Sequence, residues 1–423
     1  MDVDAQGSFF PSLESKCNMR ILFISAWFPY PPTNGAKIRI YNLLRQLSRN
    51  HEITLLSFVR TTSVEEASQS VPVLAQFCHS VKLVPFKTFD PNKKSTYLGF
   101  FTIKPRFIVN TYSSEMAELV EHAITTHTYD LIIASEVGAP SIVSLYASRI
   151  VGVPKILDAL EIAFYKDAYM SQKQTTKWLR NGLTWFKYQK YTREVMHQSD
   201  ACTVPSEQEK RNLENLVPEH YPIEVIPHCL DIDHYQNDSF GPPEPQSLVF
   251  TGSFSHFPNL DAVKYFLEEI YPDVKNKNPK VTLKIVGSTN GIDINQLPVD
   301  KTITFTGLLD DVRSEVAGSW LSIVPLRIGA GTRLKIIESM ALGTPVISTS
   351  KGAEGLDVKH GENILIADDP HEFTAAILSV LESTSLRKKL AEGGFRLVSE
   401  KYSSEFMGKK FEDLITRIGR VPR

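Results

Sequence analysis

The sequence predicts an α/β protein of two domains, each a doubly wound parallel sheet, facing one another across a cleft. Three observations predict it. The chain has 423 residues, too many for one core when domains run about 100–200 residues. From Arg20 onward, short apolar runs alternate with stretches whose apolar residues recur at helical spacing, the pattern of βαβ units. That alternation pauses once, at 237–246, where Asp238, Gly241 and three prolines punctuate the chain, and then restarts.

Taken in order, Ile21 to Ser25 reads as a buried first strand. A Pro/Gly-rich loop from Pro29 to Gly35 opens a helix with Ile38, Leu43, Leu44 and Leu47 at helical spacing. Further strands are expected at 53–58, 81–84, 131–134, 155–157 and 201–204. The second series is expected at 248–251, 281–286, 303–306, 321–324, 345–348 and 364–366. The stretch 403–418 reads as a last helix. The expected organisation is a disordered leader 1–18, with Met19 an alternative start, a first domain 19–228, a second domain 229–398 and a C-terminal segment 399–423.

Composition narrows the function. Apolar residues make up 42% and charged residues 22%, ordinary for a globular protein. A net charge of -2 gives no global field to recruit nucleic acid. Four scattered cysteines form no CxxC pair, which argues against a disulfide framework or a structural zinc and suits a reducing cytosol. No apolar run reaches the roughly 18 residues of a spanning helix. The first residues lack the basic start and apolar middle of a secretion signal.

Open α/β sheets bind ligands beyond the carboxyl ends of their strands. The richest strand end is at 321–348. There a strand closes near Val324, a loop carries Gly329 and Gly331, and a helix starts near Thr332 and stops at Gly343. Glycines let backbone N–H groups approach an anion, and a helix N-terminus adds partial positive charge. Arg333 and Lys335 sit in the first turn, where the helix dipole disfavours cations unless an anion is bound. Glu338 lies about 40° from Leu334, on the edge of the apolar face. A carboxylate there needs hydrogen-bond donors. A ribose diol supplies two; an ordinary salt bridge is the alternative.

This segment, with Met19 to Ser25 and the loop Pro32 to Gly35, resembles the retaining glycosyltransferases of family 4, which have the GT-B architecture of two Rossmann-like domains. The resemblance runs from Met19 to the C-terminus and is strongest over 245–370. It implies that the first domain takes the acceptor, the second takes a nucleotide-diphosphate sugar, and the C-terminal helix returns to the first domain. It implies donor contacts from Gly35, Gly307, Leu308, Gly329, Ala330, Gly331, Thr332 and Glu338. Arg333 and Lys335 would stabilise the leaving diphosphate, with Arg327 a further cation. The leaving phosphate itself would take the acceptor's proton, as is proposed for the family, with no metal and no cofactor beyond the donor substrate. The sequence departs from the family at three places. Ala330 stands where the first of two paired glutamates is expected, giving a Gly-x-Gly variant of the signature. The segment 251–259 lacks a basic pair, and His228-Cys229 replaces an Asn-Gly in the interdomain turn.

Asp158 and Glu161 follow a strand; Asp158 is read as an acceptor or sugar contact, with helix capping as the alternative. Asp231 and Asp233 spell an Asp-x-Asp triplet, but its interdomain position argues against a metal site. The segment 173–193 mixes cations with aromatic residues. It reads either as a half-buried helix with a basic outer face or as a peripheral membrane contact that places a lipid-linked acceptor. The expected acceptor is a glycan, a lipid-linked or a small molecule; the expected location is cytoplasmic, at the inner face of the membrane, in cell-surface polysaccharide or glycoconjugate synthesis. Two other functions fit the same fold: a sugar-nucleotide 2-epimerase and a non-catalytic sugar-nucleotide-binding subunit.

Overall fold

Runs such as Arg20–Ser25, buried at every position but the first, form strands covered on both faces, as parallel sheets require. The computed structural model describes residues 19–60, 63–90, 96, 98–137, 142–170, 174–217, 221–236, 240–290, 292–329 and 333–419. The leader and the loop residues Ala330, Gly331 and Thr332 lie outside the described residues.

The first sheet contains β1 (Arg20–Ser25), β2 (Glu52–Arg60), β3 (Ser80–Phe86), β4 (Leu131–Ser135), β5 (Lys155–Asp158), β6 (Ala201–Val204) and β7 (Ile223–Val225). Their order is β3-β2-β1-β4-β5-β6-β7. The second contains β8 (Glu244–Thr251), β9 (Thr282–Val286), β10 (Ile303–Gly307), β11 (Ser319–Val324), β12 (Val346–Ser348) and β13 (Leu365–Ile366). Their order is β10-β9-β8-β11-β12-β13. Every pairing in both sheets is parallel. Strand order reverses between β1 and β4 in one sheet and between β8 and β11 in the other. These switch points are where open sheets leave a crevice.

Strand β7 was not anticipated. Its three residues lie between Pro222 and Pro227, too short for a periodic signal, and pairing with β6 makes them a strand. The second domain has a large core cluster, which includes Leu248, Phe250, Ile323, Ile336 and Phe373, and a small one of Val249, Val286 and Val316. The first sheet buries a cluster on each face. The helix Ser404–Gly419 adds Met407, Phe411, Leu414 and Ile415 to one of these, against Ile40, Leu43 and Leu47. Each such side chain contributes roughly 1.5–3 kcal/mol on burial. The chain crosses back at Tyr402 and Ser403, after the helix Thr384–Lys401 ends.

The first helix, Gly35–Leu47, is capped by Asn34, whose side chain accepts from the Lys37 amide at 3.1 Å. It also fastens the segment joining the domains. Arg39 Nη1 donates to the carbonyls of Ile226 at 2.7 Å and Pro227 at 2.9 Å. Asn42 donates to the Cys229 carbonyl, and Arg45 pairs with Asp231.

Candidate functional site

The loop after β8 and the loop after β11 meet at the second sheet's switch point. The helix Leu334–Ala341 starts there, with Arg333 at its cap. Lys335 Nζ donates to Asn259 Oδ1 at 2.8 Å and lies 4.3 Å from the Phe250 ring centroid. Burial, then the Arg333 charge, push its ammonium down to about 7, with Glu338 opposing. An ammonium held by one neutral amide and a ring face is set to gain from an anion.

Arg333 is buried and donates through Nη2 to the carbonyls of Gly329 at 2.9 Å and Lys351 at 3.0 Å; Glu354 lies 3.5 Å away. It therefore fastens the glycine loop to the segment after β12. Glu338 is half-buried. Tyr235 donates to its Oε1 at 3.0 Å, and Oε2 accepts no hydrogen bond among the described residues. Burial raises its carboxyl above the usual range, against the Tyr235 bond and the Lys335 charge.

Gly35 brings the first domain to this site. A Cβ built on it would lie 2.4 Å from Leu334 Cδ1 and 3.7 Å from His228 Nδ1. Glycine is required by close approach, since the first helix abuts the start of the second-domain helix. Gly307 ends β10 and Leu308 follows it, on the same edge of the sheet, and Leu308 is 77% exposed. A cavity of about 180 Å³ between the domains is lined by Glu161 and Glu209 on one side and Lys351 and Glu354 on the other. Burial and the neighbouring Glu209 push Glu161 up to about 7.

Two expectations need correction. Asp158 is fully buried. Arg39 Nη2 binds its Oδ1 at 2.7 Å, Thr203 donates to Oδ1 at 2.9 Å and Ser135 donates to Oδ2 at 2.8 Å. No face of that carboxylate is left for a substrate, so Asp158 holds Arg39 in place. Arg327 is bound at 2.7 Å by Asp261 and lies over Tyr265, so its charge is already met.

The sequence reading missed Asn259, Tyr235, His228 as a packing partner of Gly35, and Glu354. None of these contacts left a sequence signal; even the approach of Asn259 to Gly252, where a Cβ would come 2.7 Å from the Asn259 side chain, shows only in the fold. Asp231 is paired with Arg45, and among the described residues no group of three His, Cys, Asp or Glu is placed to hold a metal. The helix Thr175–His197 is the segment with two readings, a basic outer face or a membrane contact. Its outer face is apolar at Leu179, Leu183 and Phe186, which are exposed, although cations flank it.

Two parallel-sheet Rossmann-like domains with paired strand-end loops match the GT-B fold of solved structures. Anabaena HepE, in a crystal structure with UDP and glucose, has this fold: TM-score 0.64 at 16% identity, covering 95% of this chain and 100% of that one. Residues 245–383 match the family described as Glycosyl transferases group 1. The chain is 24% identical to an uncharacterized 44.6 kDa protein in the cps region of Klebsiella pneumoniae, over 91% of this chain and 97% of the relative. It is 30% identical to the lipopolysaccharide core biosynthesis glycosyltransferase LpsE of Rhizobium meliloti, over 28% of this chain and 35% of the relative. No described helix is long and apolar enough to cross a membrane.

Proposed function

We propose that the chain moves a sugar from a nucleotide-diphosphate sugar to an acceptor with retention of anomeric configuration, using protein cations rather than a metal. The observation that carries this reading is Lys335, held by Asn259 and Phe250 at the switch point with no ion pair to a carboxylate among the described residues. The nucleotide lies on the second domain. Glu338 Oε2 accepts from the ribose. Lys335 and the helix start draw charge from the leaving diphosphate, and Arg333 holds the glycine loop that carries the sugar. Such preorganised donors act where charge develops, and losing one costs roughly 2.7–4 kcal/mol in the barrier. The released phosphate oxygen takes the acceptor's proton on the same face, which gives retention.

UDP, present with HepE, is the first nucleotide to try. The cps and lipopolysaccharide relatives favour a role in cell-surface polysaccharide or glycoconjugate synthesis. A cytoplasmic chain at the inner membrane face suits the helix Thr175–His197. Leu179, Leu183 and Phe186 recur at i, i+4 and i+7, and five cations with no acid lie between Thr175 and Arg193. Such a face suits an anionic bilayer.

The test has two parts. A thermal-shift screen of nucleoside diphosphates and their sugar conjugates should show stabilisation by one base, since a ligand at about 100 times its dissociation constant adds about 2.7 kcal/mol. Transfer to an acceptor, with the anomer read by NMR, should show retention. Inversion would refute the mechanism, and binding without transfer across an acceptor panel would favour a non-catalytic subunit.

A further inference from the structure

Arg39 brings two distant segments of the chain together. Its guanidinium binds Asp158 at the end of β5 and the carbonyls of Ile226 and Pro227 in the segment joining the domains. Past Asp158 the chain turns through Ala159, whose φ is +53°. A residue with a Cβ holds that conformation only where its surroundings compel it. Here Thr203 Oγ1 accepts from the Ala159 amide at 2.8 Å, and the Thr203 carbonyl accepts from the Leu160 amide at 2.9 Å. The turn brings Glu161 back to the joining segment, where its Oε1 lies 4.0 Å from His228 Nε2.

His228 has one bonded nitrogen and one bare one. Nδ1 lies 3.3 Å from the Gly35 carbonyl, which can only accept, so Nδ1 carries the proton. Burial, then the Arg39 charge, hold the ring down to about 3, against the Gly35 bond and the Asp158 charge, so it is neutral near pH 7. Nε2 is then a lone pair, buried and without a partner among the described residues. Such an atom is costly unless a donor meets it. Glu161 is positioned to supply one. Its carboxyl makes no hydrogen bond among the described residues. It feels the charges of Glu209 and Arg39, and Glu209 is itself fixed by the Ile162 and Ala163 amides. Lys166, Lys351 and Glu354 line the same interdomain cavity. Burial and Glu209 keep the proton on Glu161 up to about pH 7, with Arg39 opposing.

We propose that Glu161 and His228 are positioning residues for transfer: Glu161, as the carboxylic acid, donates to His228 Nε2, and the ring so fixed holds Gly35 against the start of the donor-binding helix. The two atoms have about 1 Å to close to reach hydrogen-bond distance. The carboxylate form cannot donate, and it sets negative charge against both the ring lone pair and Glu209. Losing the proton therefore frees the ring, and with it the Gly35 backbone that abuts Leu334. His228 stands where the resembled family carries Asn, so the pair is a feature of this sequence. This assignment rests on the glycosyl-transfer reading.

Nitrogen-15 NMR of the full chain labelled at histidine tests the pair, and release of UDP from saturating UDP-glucose tests its use. The His228 signals are assigned by their loss in His228→Asn. Between pH 6 and 9, Nδ1 should keep its proton while Nε2 passes from hydrogen-bonded to free, with a midpoint near about 7. Turnover should fall by about tenfold over the upper part of that range, as for an essential acid. Lys335 does not produce this fall, because the diphosphate against it keeps it protonated when donor saturates. Glu161→Gln, whose amide donates at every pH, should keep Nε2 bonded and turnover flat, while its UDP affinity still falls above pH 7. Glu161→Ala should leave Nε2 free and turnover low throughout. An Nε2 signal that does not change with pH, or the same loss of turnover above pH 7 in Glu161→Gln, overturns the proposal. If Nε2 titrates as described but UDP-glucose is neither bound nor cleaved, the glycosyl-transfer reading falls and the hydrogen bond stands.

Discussion

Lys335 makes donor binding depend on pH in a defined direction. Burial and Arg333 hold the free ammonium at about 7. A diphosphate against Nζ raises that value, because an opposite charge in contact favours the charged form. Below about pH 7, Lys335 is protonated whether or not the donor is bound, so affinity is flat. Above it, the empty site loses the proton that the occupied site keeps, and binding must take one up. Each further pH unit then costs about tenfold in affinity, or 1.36 kcal/mol, until the bound-state value is reached. A phosphate's second ionisation, near pH 6, is complete below this window, and burial and two cations lower His256 from its ordinary value. Calorimetry with UDP at pH 7, 8 and 9, in buffers of different ionisation enthalpy, should show uptake approaching one proton at pH 8. Lys335→Met should bind weakly with no uptake, while Glu338→Gln should keep it. A flat affinity between pH 7 and 9, or the same slope in Lys335→Met, would refute the reasoning.

Other outcomes follow from the same geometry. Glu338→Ala should weaken UDP by roughly ten- to a hundredfold, the loss of a charge-assisted bond of about 1.5–3 kcal/mol, with less change for a ribose-free diphosphate. Gly35→Val should leave UDP affinity within a few-fold but lower turnover by about tenfold or more, since Leu334 must move from the domain contact; unchanged turnover would show that this contact does not gate transfer. Asp158→Asn should behave as a stability variant. Breaking a buried pair costs about 3–5 kcal/mol, and a domain of this size loses roughly 2–4 °C in Tm per kcal/mol. A turnover defect with an unchanged Tm would return Asp158 to the substrate. Donor incubated alone should yield no epimer.

Much of the fold was legible because parallel strands buried on both faces write themselves as short apolar runs. β1 and β8 are examples, and β1 is followed by loop residues and an amphipathic helix. β7 was not legible, since three residues between prolines carry no period. In the site, Lys335 and Glu338 could be read from a loop-to-helix start, which is local in sequence. Asp158 was misread for the opposite reason. A strand-end acid looks the same whether it faces a cleft or a buried guanidinium, and Arg39 is 119 residues away. Asn259 and Tyr235 are partners of Lys335 and Glu338 only through the fold. The outer face of the helix Thr175–His197 was ambiguous because which stripe is buried depends on what packs against it.

The most direct test is a crystal structure of the chain with UDP. The account predicts a diphosphate within hydrogen-bond distance of Lys335 Nζ at the start of the helix Leu334–Ala341, and a ribose hydroxyl donating to Glu338 Oε2. A nucleotide bound with its diphosphate away from Lys335, or a ribose that does not touch Glu338, would contradict it.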